Sequence, residues 1–188
     1  MLRIFFIMTI FLTNFCKYTA QVVLKGAELK KISELKFSES IYYKTLKSKP
    51  IIKTHFISAK SIDGDCMNYI SNEYLFKKEK IEFIFRNENS DTVNNGELVD
   101  IYIKGKNNSF VTEDSIKIGD KVPISLLCKD IEKLKKSYIF HNTKYLVEIF
   151  HNGVYYEFKK ISPKEINMKT ILTIKKINIR PYSISPNY

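Results

Sequence analysis

The chain has 188 residues, of which 44% are hydrophobic, and a formal net charge of +11 at pH 7. This length is enough for one domain with a substantial core, so the fold needs no disulfide or metal for stability. Of the 31 basic residues, only Arg3, Arg86 and Arg180 are arginine, the residue best suited to bidentate phosphate recognition. The scarcity of arginine argues against a dedicated nucleic-acid surface, and the abundance of Lys, Ile and Asn is typical of an AT-rich genome.

The first 20 residues have the composition of a secretory signal peptide. Arg3 precedes an apolar run over residues 4–12, and a more polar stretch then leads to Ala20. The apolar run is too short for a transmembrane helix, which needs about 20 apolar residues, and no second run in the chain approaches that length. We therefore expect cleavage after Ala20 and a bacterial protein that is secreted or periplasmic, with no transmembrane helix in the mature chain.

The two ends of the chain carry further predictions. Cys16 leaves open the alternative that the chain is cleaved before this cysteine and anchored to lipid by an acyl group. After cleavage at residue 20, residues 21–180 are expected to form a single α+β domain. Residues 181–188, which include Pro181 and Pro186, are expected to form an irregular tail.

The first half of the mature chain predicts a helical segment followed by strands. The apolar pattern over residues 22–49 favours helix, with Ser38 as the candidate cap of a short helix. Residues 51–58 predict a strand. Residues 80–86 and 97–104 alternate between apolar and polar side chains, so we expect them to pair as a hairpin.

The stretch after Gly119 predicts the main helix of the fold. Asp120 is its candidate cap, and Pro123 is tolerated in a first helical turn. Apolar residues then recur with a period of 3.6 at Ile124, Leu127, Cys128, Ile131, Leu134 and Tyr138. We expect one amphipathic helix over residues 124–138 that packs on the sheet through this apolar face.

Residues 145–160 predict a β-hairpin. Asn152 and Gly153 suit a two-residue type I′ turn because both of its central residues need positive φ. This turn fixes a register in which five pairs face each other: His151 with Val154, Phe150 with Tyr155, Ile149 with Tyr156, Glu148 with Glu157, and Val147 with Phe158. The expected core face carries Val147, Ile149, Val154, Tyr156 and Phe158. We expect this hairpin to form the middle of the sheet.

The sequence as a whole therefore predicts an α+β fold, in which an antiparallel sheet of hairpins packs against one main amphipathic helix. The Gly119-Asp120 turn, the helix and the tyrosine-rich hairpin together resemble the repeat unit of small secreted helix-and-sheet domains such as β-lactamase-inhibitor proteins. The resemblance covers about 45 residues and lacks the glycine and proline usual just after that helix, so it implies no binding residue here.

The last strand, predicted over residues 170–179, lies in the most basic part of the chain. Residues 159–180 contain seven basic residues and one acidic residue, a net charge of +6. This charge has two interpretations: a surface for an anionic partner, such as an acidic glycan or lipid, or a charged edge strand that discourages aggregation. Lys175-Lys176 interrupts the alternation as a β-bulge would. The candidate binding surface comprises Phe150, Tyr155, Lys175, Lys176 and Arg180.

Motifs for catalysis, metals or cofactors are missing from the sequence. The histidines His55, His141 and His151 lack metal-ligand spacing, and six scattered glycines form no phosphate-binding loop. Residues 63–65 resemble the start of an EF-hand calcium loop. Counted from Asp63, however, the sixth and twelfth positions hold Asn68 and Tyr74 instead of the required Gly and Glu. We therefore predict no catalytic, metal or cofactor-binding residue, and we interpret residues 63–65 as a turn or as the cap of a segment that runs to residue 76.

Two cysteines remain in the mature chain, Cys66 and Cys128. An oxidising compartment would allow them to pair, whereas Cys128 would also suit the apolar face of the helix as a small core residue. The functional prediction is a secreted or periplasmic non-catalytic domain that binds a protein partner or an anionic surface. The alternative is a secreted hydrolase of unrecognised type, and the sequence identifies neither a ligand nor a partner.

Overall fold

The computed structural model describes residues 21–60, 66–87, 96–106, 110–140 and 145–181. The predicted signal peptide with Cys16, the turn at residues 63–65 and residues 182–188 of the predicted tail lie outside this part of the chain. The strands are β1 (Val22–Leu24), β2 (Ile51–Lys60), β3 (Cys66–Phe76), β4 (Ile81–Asn87), β5 (Glu97–Ile103), β6 (Phe110–Thr112), β7 (Lys121–Pro123), β8 (Leu146–His151), β9 (Val154–Ile161) and β10 (Ile171–Ile179). The helices are α1 (Gly26–Leu29), α2 (Glu34–Phe37), α3 (Ile41–Thr45), α4 (Ile124–Leu127) and α5 (Ile131–Phe140), and a 3-10 turn spans Pro163–Glu165.

A large antiparallel sheet with the strand order β2-β3-β4-β5-β10-β9-β8 dominates the fold. It consists of two meanders, β2 to β5 and β8 to β10, which join where Ile177 to Ile179 of β10 pair with Ile103 to Ile101 of β5. The beginning of β10 pairs with β7. β1 and β6 form a separate parallel pair. The predicted strands at residues 51–58, 80–86, 97–104 and 170–179 are thereby confirmed.

The prediction of an α+β fold with one main amphipathic helix is wrong, because the described structure is mostly β. Of the residues that the structure describes, 48% are in strands and 18% are helical, and the helices are short. The apolar period over residues 124–138 is split between α4 and α5, because Cys128 has extended backbone angles of φ −144° and ψ 123°. Asp130 then starts a new helix, since its Oδ1 accepts a hydrogen bond from the backbone N of Lys133 at 2.9 Å. Val122 and Pro123 belong to β7, so no helix begins at Asp120.

The segment before the sheet also differs from the prediction. The single helical segment expected over residues 22–49 is instead β1 followed by three helices of about one turn each. Ser40, rather than Ser38, caps α3, and its Oγ accepts a hydrogen bond from the backbone N of Tyr43 at 3.1 Å. Such short helices depend on packing for stability, which Leu29, Phe37 and Tyr42 provide by being buried. The segment from Cys66 to Phe76, which the cap interpretation would make a helix, is a strand.

The Asn152-Gly153 hairpin forms with the predicted turn. Asn152 and Gly153 have φ angles of 49° and 79°, and the four pairs nearest the turn, from His151–Val154 to Glu148–Glu157, are confirmed. Farther along the strands an irregularity shifts the register, so the predicted pair of Val147 with Phe158 is wrong and Leu146 instead pairs with Ile161.

The positions of the last three strands correct two further predictions. β8 comes last in the strand order, so the hairpin lies at the end of the sheet and not in its middle. β10 has neighbours on both sides, so the interpretation of its lysines as a charged edge strand is also wrong. The predicted bulge at Lys175-Lys176 is confirmed by a register shift between Ile174 and Lys176.

The core lies on one face of the sheet. The ring of Phe37 from α2 packs against the sheet, with centroid distances of 4.7 Å to Phe83 and 5.0 Å to Phe85. Tyr156 and Phe158 continue the buried face onto β9. Burial of each such side chain stabilises the fold by about 1.5–3 kcal/mol. The opposite face of the sheet, which we call the polar face, carries Glu82, Arg86, Asp100, Tyr102, Tyr155 and Glu157 at the alternate positions of its strands.

Candidate functional site

A cleft of about 490 Å³ lies between α1, the turn of the β8–β9 hairpin and the end of β10. The residues that line it include three basic ones, Lys30, Lys31 and Arg180, and one acidic one, Glu113. Oε1 of Glu113 accepts a hydrogen bond from the backbone N of Gly26 at 2.8 Å. This contact attaches the carboxylate to the start of α1, where the positive end of the peptide dipoles favours a negative charge. We name this site the basic cleft.

The packing of α1 positions one wall of the basic cleft. Leu29 is fully buried, which holds α1 against the core, and Lys30 and Lys31 follow it directly. The backbone N of Lys30 donates to the carbonyl of Gly26 at 3.1 Å, and that of Lys31 donates to the carbonyl of Glu28 at 3.1 Å. The backbone that carries the two lysines is therefore fixed by α1.

Arg180 forms the opposite wall and is held by several contacts. Its Nε lies 3.1 Å from Oδ1 of Asp100, and its guanidinium lies 4.7 Å from the ring centroid of Tyr155. Its backbone N donates to the carbonyl of Gly153 at 3.3 Å. Ion pairing and ring contact together restrict the rotamers of this long side chain, so less conformational entropy is lost when it binds a ligand.

The carboxyl group of Asp100 is electrostatically unusual. Burial raises its pKa above the ordinary value, and the nearby guanidinium groups of Arg180 and Arg86 offset this effect only in part. Part of the positive charge of Arg180 is therefore balanced by a carboxylate that is itself costly to ionise. The cleft keeps a net basic lining, because Lys30 and Lys31 add to Arg180.

The five predicted binding residues fall into two groups. Phe150, Tyr155 and Arg180 lie together, with 4.6 Å between the ring centroids of Phe150 and Tyr155. Phe150, however, is only 5% exposed and offers little surface to a partner. Lys175 is exposed at the bulge of β10, and Lys176 forms an ion pair with Glu157 at 2.9 Å. Arg180 is the member of this set that lines the basic cleft.

A polar network borders the basic cleft at Asn152. Oδ2 of Asp114 accepts a hydrogen bond from the hydroxyl of Tyr156 at 3.0 Å, and its Oδ1 accepts one from Nδ2 of Asn152 at 3.1 Å. Nε2 of His151 lies 3.7 Å from the same Oδ1. The Tyr156 hydroxyl is also 3.0 Å from Oγ1 of Thr112, and burial raises the pKa of Tyr156. The network joins the turn after β6 to the β8–β9 hairpin.

The cysteines show no reactive thiol in the described part of the chain. Cys128 is a buried free cysteine whose Sγ donates to the carbonyl of Asp130 at 3.3 Å. Burial raises the pKa of its thiol, so little of the nucleophilic thiolate is present at neutral pH. The backbone of Cys66 starts β3, but its side chain lies outside the described atoms. The disulfide between Cys66 and Cys128 therefore stays a prediction.

The described ranges contain neither a candidate metal-binding cluster nor a helix that could span a membrane. No group of three or more His, Cys, Asp and Glu side chains there is arranged to hold a metal ion. None of the helices described above has the length and apolar content that crossing a membrane requires.

Sequence reasoning missed Lys30, Lys31 and Asp100. The two lysines occur in a segment with a helical pattern, and their proximity to Arg180 arises from tertiary packing that no local pattern encodes. Asp100 had a usable signal, since alternation from Ile101 and Ile103 places it on the polar face of β5. Its pairing with Arg180 requires that β5 and β10 be neighbours, which the strand order determines.

Comparison with known proteins gives no relative from which a function could be transferred. No protein-family model matches the chain, and neither the curated proteins nor the solved structures contain a significant match.

Proposed function

We propose that this protein is a secreted or periplasmic non-catalytic domain that uses the basic cleft to bind an anionic group of a protein partner or an anionic surface. One observation carries the proposal: Lys30, Lys31 and Arg180 line the same cleft, while the carboxylate of Glu113 accepts a hydrogen bond from Gly26. The cleft is therefore lined by more basic than acidic residues.

The cleft also suits an anion in physical terms. Near a protein surface, two opposite charges 4 Å apart attract by about 4 kcal/mol before the cost of desolvation. A hydrogen bond to a charged group retains about 1.5–3 kcal/mol of this after exchange with water. Leu24, Val154 and Ile179 add apolar lining, so the cleft can accommodate an anionic group on a partly apolar carrier such as an acidic side chain.

Retention on heparin and binding of a labelled poly-glutamate peptide test this proposal. We expect the double variant Lys30→Gln/Lys31→Gln to elute from heparin at lower salt and to bind the peptide several-fold more weakly. The matched control is Lys77→Gln/Lys78→Gln, which removes the same charge from two adjacent exposed lysines between β3 and β4. Equal effects of the two double variants would show that net charge, and not the cleft, causes binding.

The predicted export is tested separately. Expression of the full chain in a bacterial host should yield a periplasmic or secreted protein that begins at Gln21. The mass and the N-terminal sequence of the exported protein measure this directly. An exported chain that begins at an acylated Cys16 would instead establish the lipid anchor, and a full-length cytoplasmic product would contradict both.

A hydrolase is the second candidate, because His151 lies 3.7 Å from Asp114 beside the basic cleft. This distance permits the carboxylate to orient the imidazole of a general base. Both oxygens of Asp114 are already engaged by Tyr156 and Asn152, however, and the buried thiol of Cys128 is poorly ionised. Hydrolysis of activated esters or peptides that His151→Ala abolishes, with folding retained, would favour this alternative over a binding domain.

A further inference from the structure

β2 ends the strand order of the large sheet and pairs with β3 alone among the described strands. Within the described part of the chain, the other side of β2 therefore presents backbone N–H and C=O groups that pair with no strand and can accept another one. It is a long edge, with ten residues from Ile51 to Lys60. The side chains from Ile51 to Ser58 are all exposed, and Phe56 is 82% exposed. Natural sheets usually protect such an edge, so this strand requires an explanation.

The exposed apolar residues of β2 are arranged symmetrically. Ile51 and Ile52 precede Thr54 by three and two positions, and Phe56 and Ile57 follow it by two and three. Residues that face each other across an antiparallel pair lie on the same side of the sheet. A two-fold axis through Thr54 therefore places Ile51 opposite Ile57 and Ile52 opposite Phe56 of a second copy.

Other two-fold registers lose this match. An axis through His55 would place Ile52 opposite Ser58, and Phe56 opposite Thr54. An axis through Phe56 would leave Ile57 opposite His55. Of the two-fold registers centred on residues 52 to 57, the one at Thr54 is the register in which all four large apolar side chains face an apolar partner.

We propose that two copies of this chain associate through β2, in antiparallel register about Thr54, to form one continuous sheet. A two-fold interface brings the same surface of both subunits together, so it requires a self-complementary patch. The symmetric pattern of β2 meets that requirement, whereas a partner of unrelated sequence would not call for it. The second copy is therefore the occupant that the sequence of this edge favours.

The charges next to the apolar residues are compatible with this pairing. The register places Lys53 opposite His55 of the second copy. Nε2 of His55 lies 3.4 Å from Oε1 of Glu73 within its own chain, and Glu73 is also the residue directly across from Lys53 in the β2–β3 pair. Each half of the interface thus contributes a carboxylate beside its two basic groups.

The outer part of the β2–β3 hairpin adds apolar surface. An apolar depression of about 210 Å³ lies beside Phe56 and Ile57 and is also lined by Tyr69 and Ile70. In the proposed register, Ile51 and Ile52 of the second copy lie opposite Ile57 and Phe56, next to this depression. The interface is small for a permanent dimer, so we expect an equilibrium between monomer and dimer that depends on concentration.

Sedimentation velocity over a range of protein concentrations tests the association. We expect the native protein to dimerise and Phe56→Lys/Ile57→Lys to remain monomeric, because four added lysines would face the opposing strand. The matched control is Leu126→Lys/Met168→Lys, which changes two half-exposed apolar residues away from β2 and should dimerise normally. A native protein that stays monomeric at all concentrations, or a dimer that persists in Phe56→Lys/Ile57→Lys, would overturn the proposal.

Disulfide cross-linking tests the register without relying on the lysine variants. With the three native cysteines replaced by alanine, Thr54→Cys should form a disulfide-linked dimer under mild oxidation, because Cβ atoms of facing residues lie about 4.5–5.5 Å apart. Ser58→Cys should not, since the two copies of residue 58 would be about 26 Å apart along the strands. A Thr54→Cys variant that stays reduced, or equal cross-linking of both variants, would overturn the register about Thr54.

Discussion

Arg180 and Asp100 form an ion pair across the junction of the two meanders, with 3.1 Å between Nε and Oδ1. Arg180 follows β10 directly, and Asp100 lies on the adjacent strand β5, so the pair joins the two halves of the sheet beside the basic cleft. Asp100 is partly buried, and its partner Arg180 also lines the basic cleft, so one residue pair connects the junction of the sheet with the cleft.

The first prediction concerns the pH dependence of stability at Asp100. Burial raises the pKa of this carboxyl in the folded protein above its value of about 3.9 in the unfolded chain, so the folded state binds the proton more tightly. The stability that this site contributes is fully present below about pH 3.9 and is lost as pH rises through the folded pKa. Asp100→Asn should therefore show a shallower decline in the free energy of unfolding over this range than the native protein.

Urea denaturation at several pH values from about 3.5 to 7 measures the difference between the two proteins. Glu39→Gln is the control, because it replaces a carboxylate by an amide at an exposed position away from Asp100. A steeper decline in Asp100→Asn than in the native protein would contradict the raised pKa.

The parts of the fold that the sequence predicts correctly depend on local stereochemistry. The Asn152-Gly153 turn needs two residues that accept positive φ, and strand β4 shows its period of two in Ile81, Phe83 and Phe85. The bulge near Lys175 is visible because two lysines interrupt an apolar alternation. Each of these signals is contained within a few residues, so it depends little on which strands become neighbours in the sheet.

The wrong predictions arise where a local pattern permits two structures. The apolar period over residues 124–138 is compatible with one helix or with two short helices that bury the same side. The extended backbone at Cys128 and the cap at Asp130 produce two helices. The edge position expected for β10 fails for another reason. A charged strand is equally compatible with a central place when its lysines fall at a bulge and on the polar face, as Lys175 and Lys176 do. The basic cleft could be predicted only through Arg180, because its other wall comes from the opposite end of the chain.

The second prediction concerns the hairpin turn. Gly153 has φ +79°, and a Cβ atom added there would meet nothing within 4 Å, so the cost of a side chain comes from the backbone alone. Gly153→Ala should lower the free energy of unfolding by about 1–2 kcal/mol, as measured by urea denaturation. Gly26→Ala is the matched control, because its added Cβ also meets open space but its backbone is helical, and it should cause no loss. Equal losses in both variants would contradict this explanation.

The third prediction concerns Glu34, a buried carboxylate with 8% exposure. Nδ2 of Asn72 donates to both of its oxygens at 3.0 and 3.1 Å, and the hydroxyl of Tyr74 donates to Oε1 at 2.8 Å. Oδ1 of Asn72 accepts from Oγ1 of Thr54 at 2.7 Å, which fixes the amide with its N–H groups toward Glu34. Glu34→Gln would replace one acceptor oxygen by an NH2 group. That group would face the donors of Asn72 and Tyr74 and could not accept their hydrogen bonds.

We therefore expect Glu34→Gln to lower the free energy of unfolding by about 1–3 kcal/mol, the usual cost of an unsatisfied buried group. Thermal or urea denaturation at neutral pH measures this change. Glu39→Gln makes the same chemical change at an exposed position and should alter stability by less than about 0.5 kcal/mol. Equal stability of Glu34→Gln and Glu39→Gln would show that the buried network accepts an amide.

The fourth prediction concerns Tyr156, whose hydroxyl lies 3.0 Å from both Oδ2 of Asp114 and Oγ1 of Thr112. Tyr156→Phe keeps the fully buried ring but leaves Asp114 without one of its donors, so we expect a loss of about 1–2 kcal/mol in the free energy of unfolding. Tyr69→Phe is the control, because it also removes a tyrosine hydroxyl and keeps the ring. That ring lies 4.4 Å from the guanidinium of Arg86, and this contact is retained. Urea denaturation compares the two variants with the native protein. Asp114 also contacts Asn152 at the border of the basic cleft, so heparin binding by Tyr156→Phe tests the role of this network. We expect Tyr156→Phe to weaken heparin binding less than Lys30→Gln/Lys31→Gln does. An equal or larger loss of binding would mean that the polar network, and not the lysines, recognises the anion.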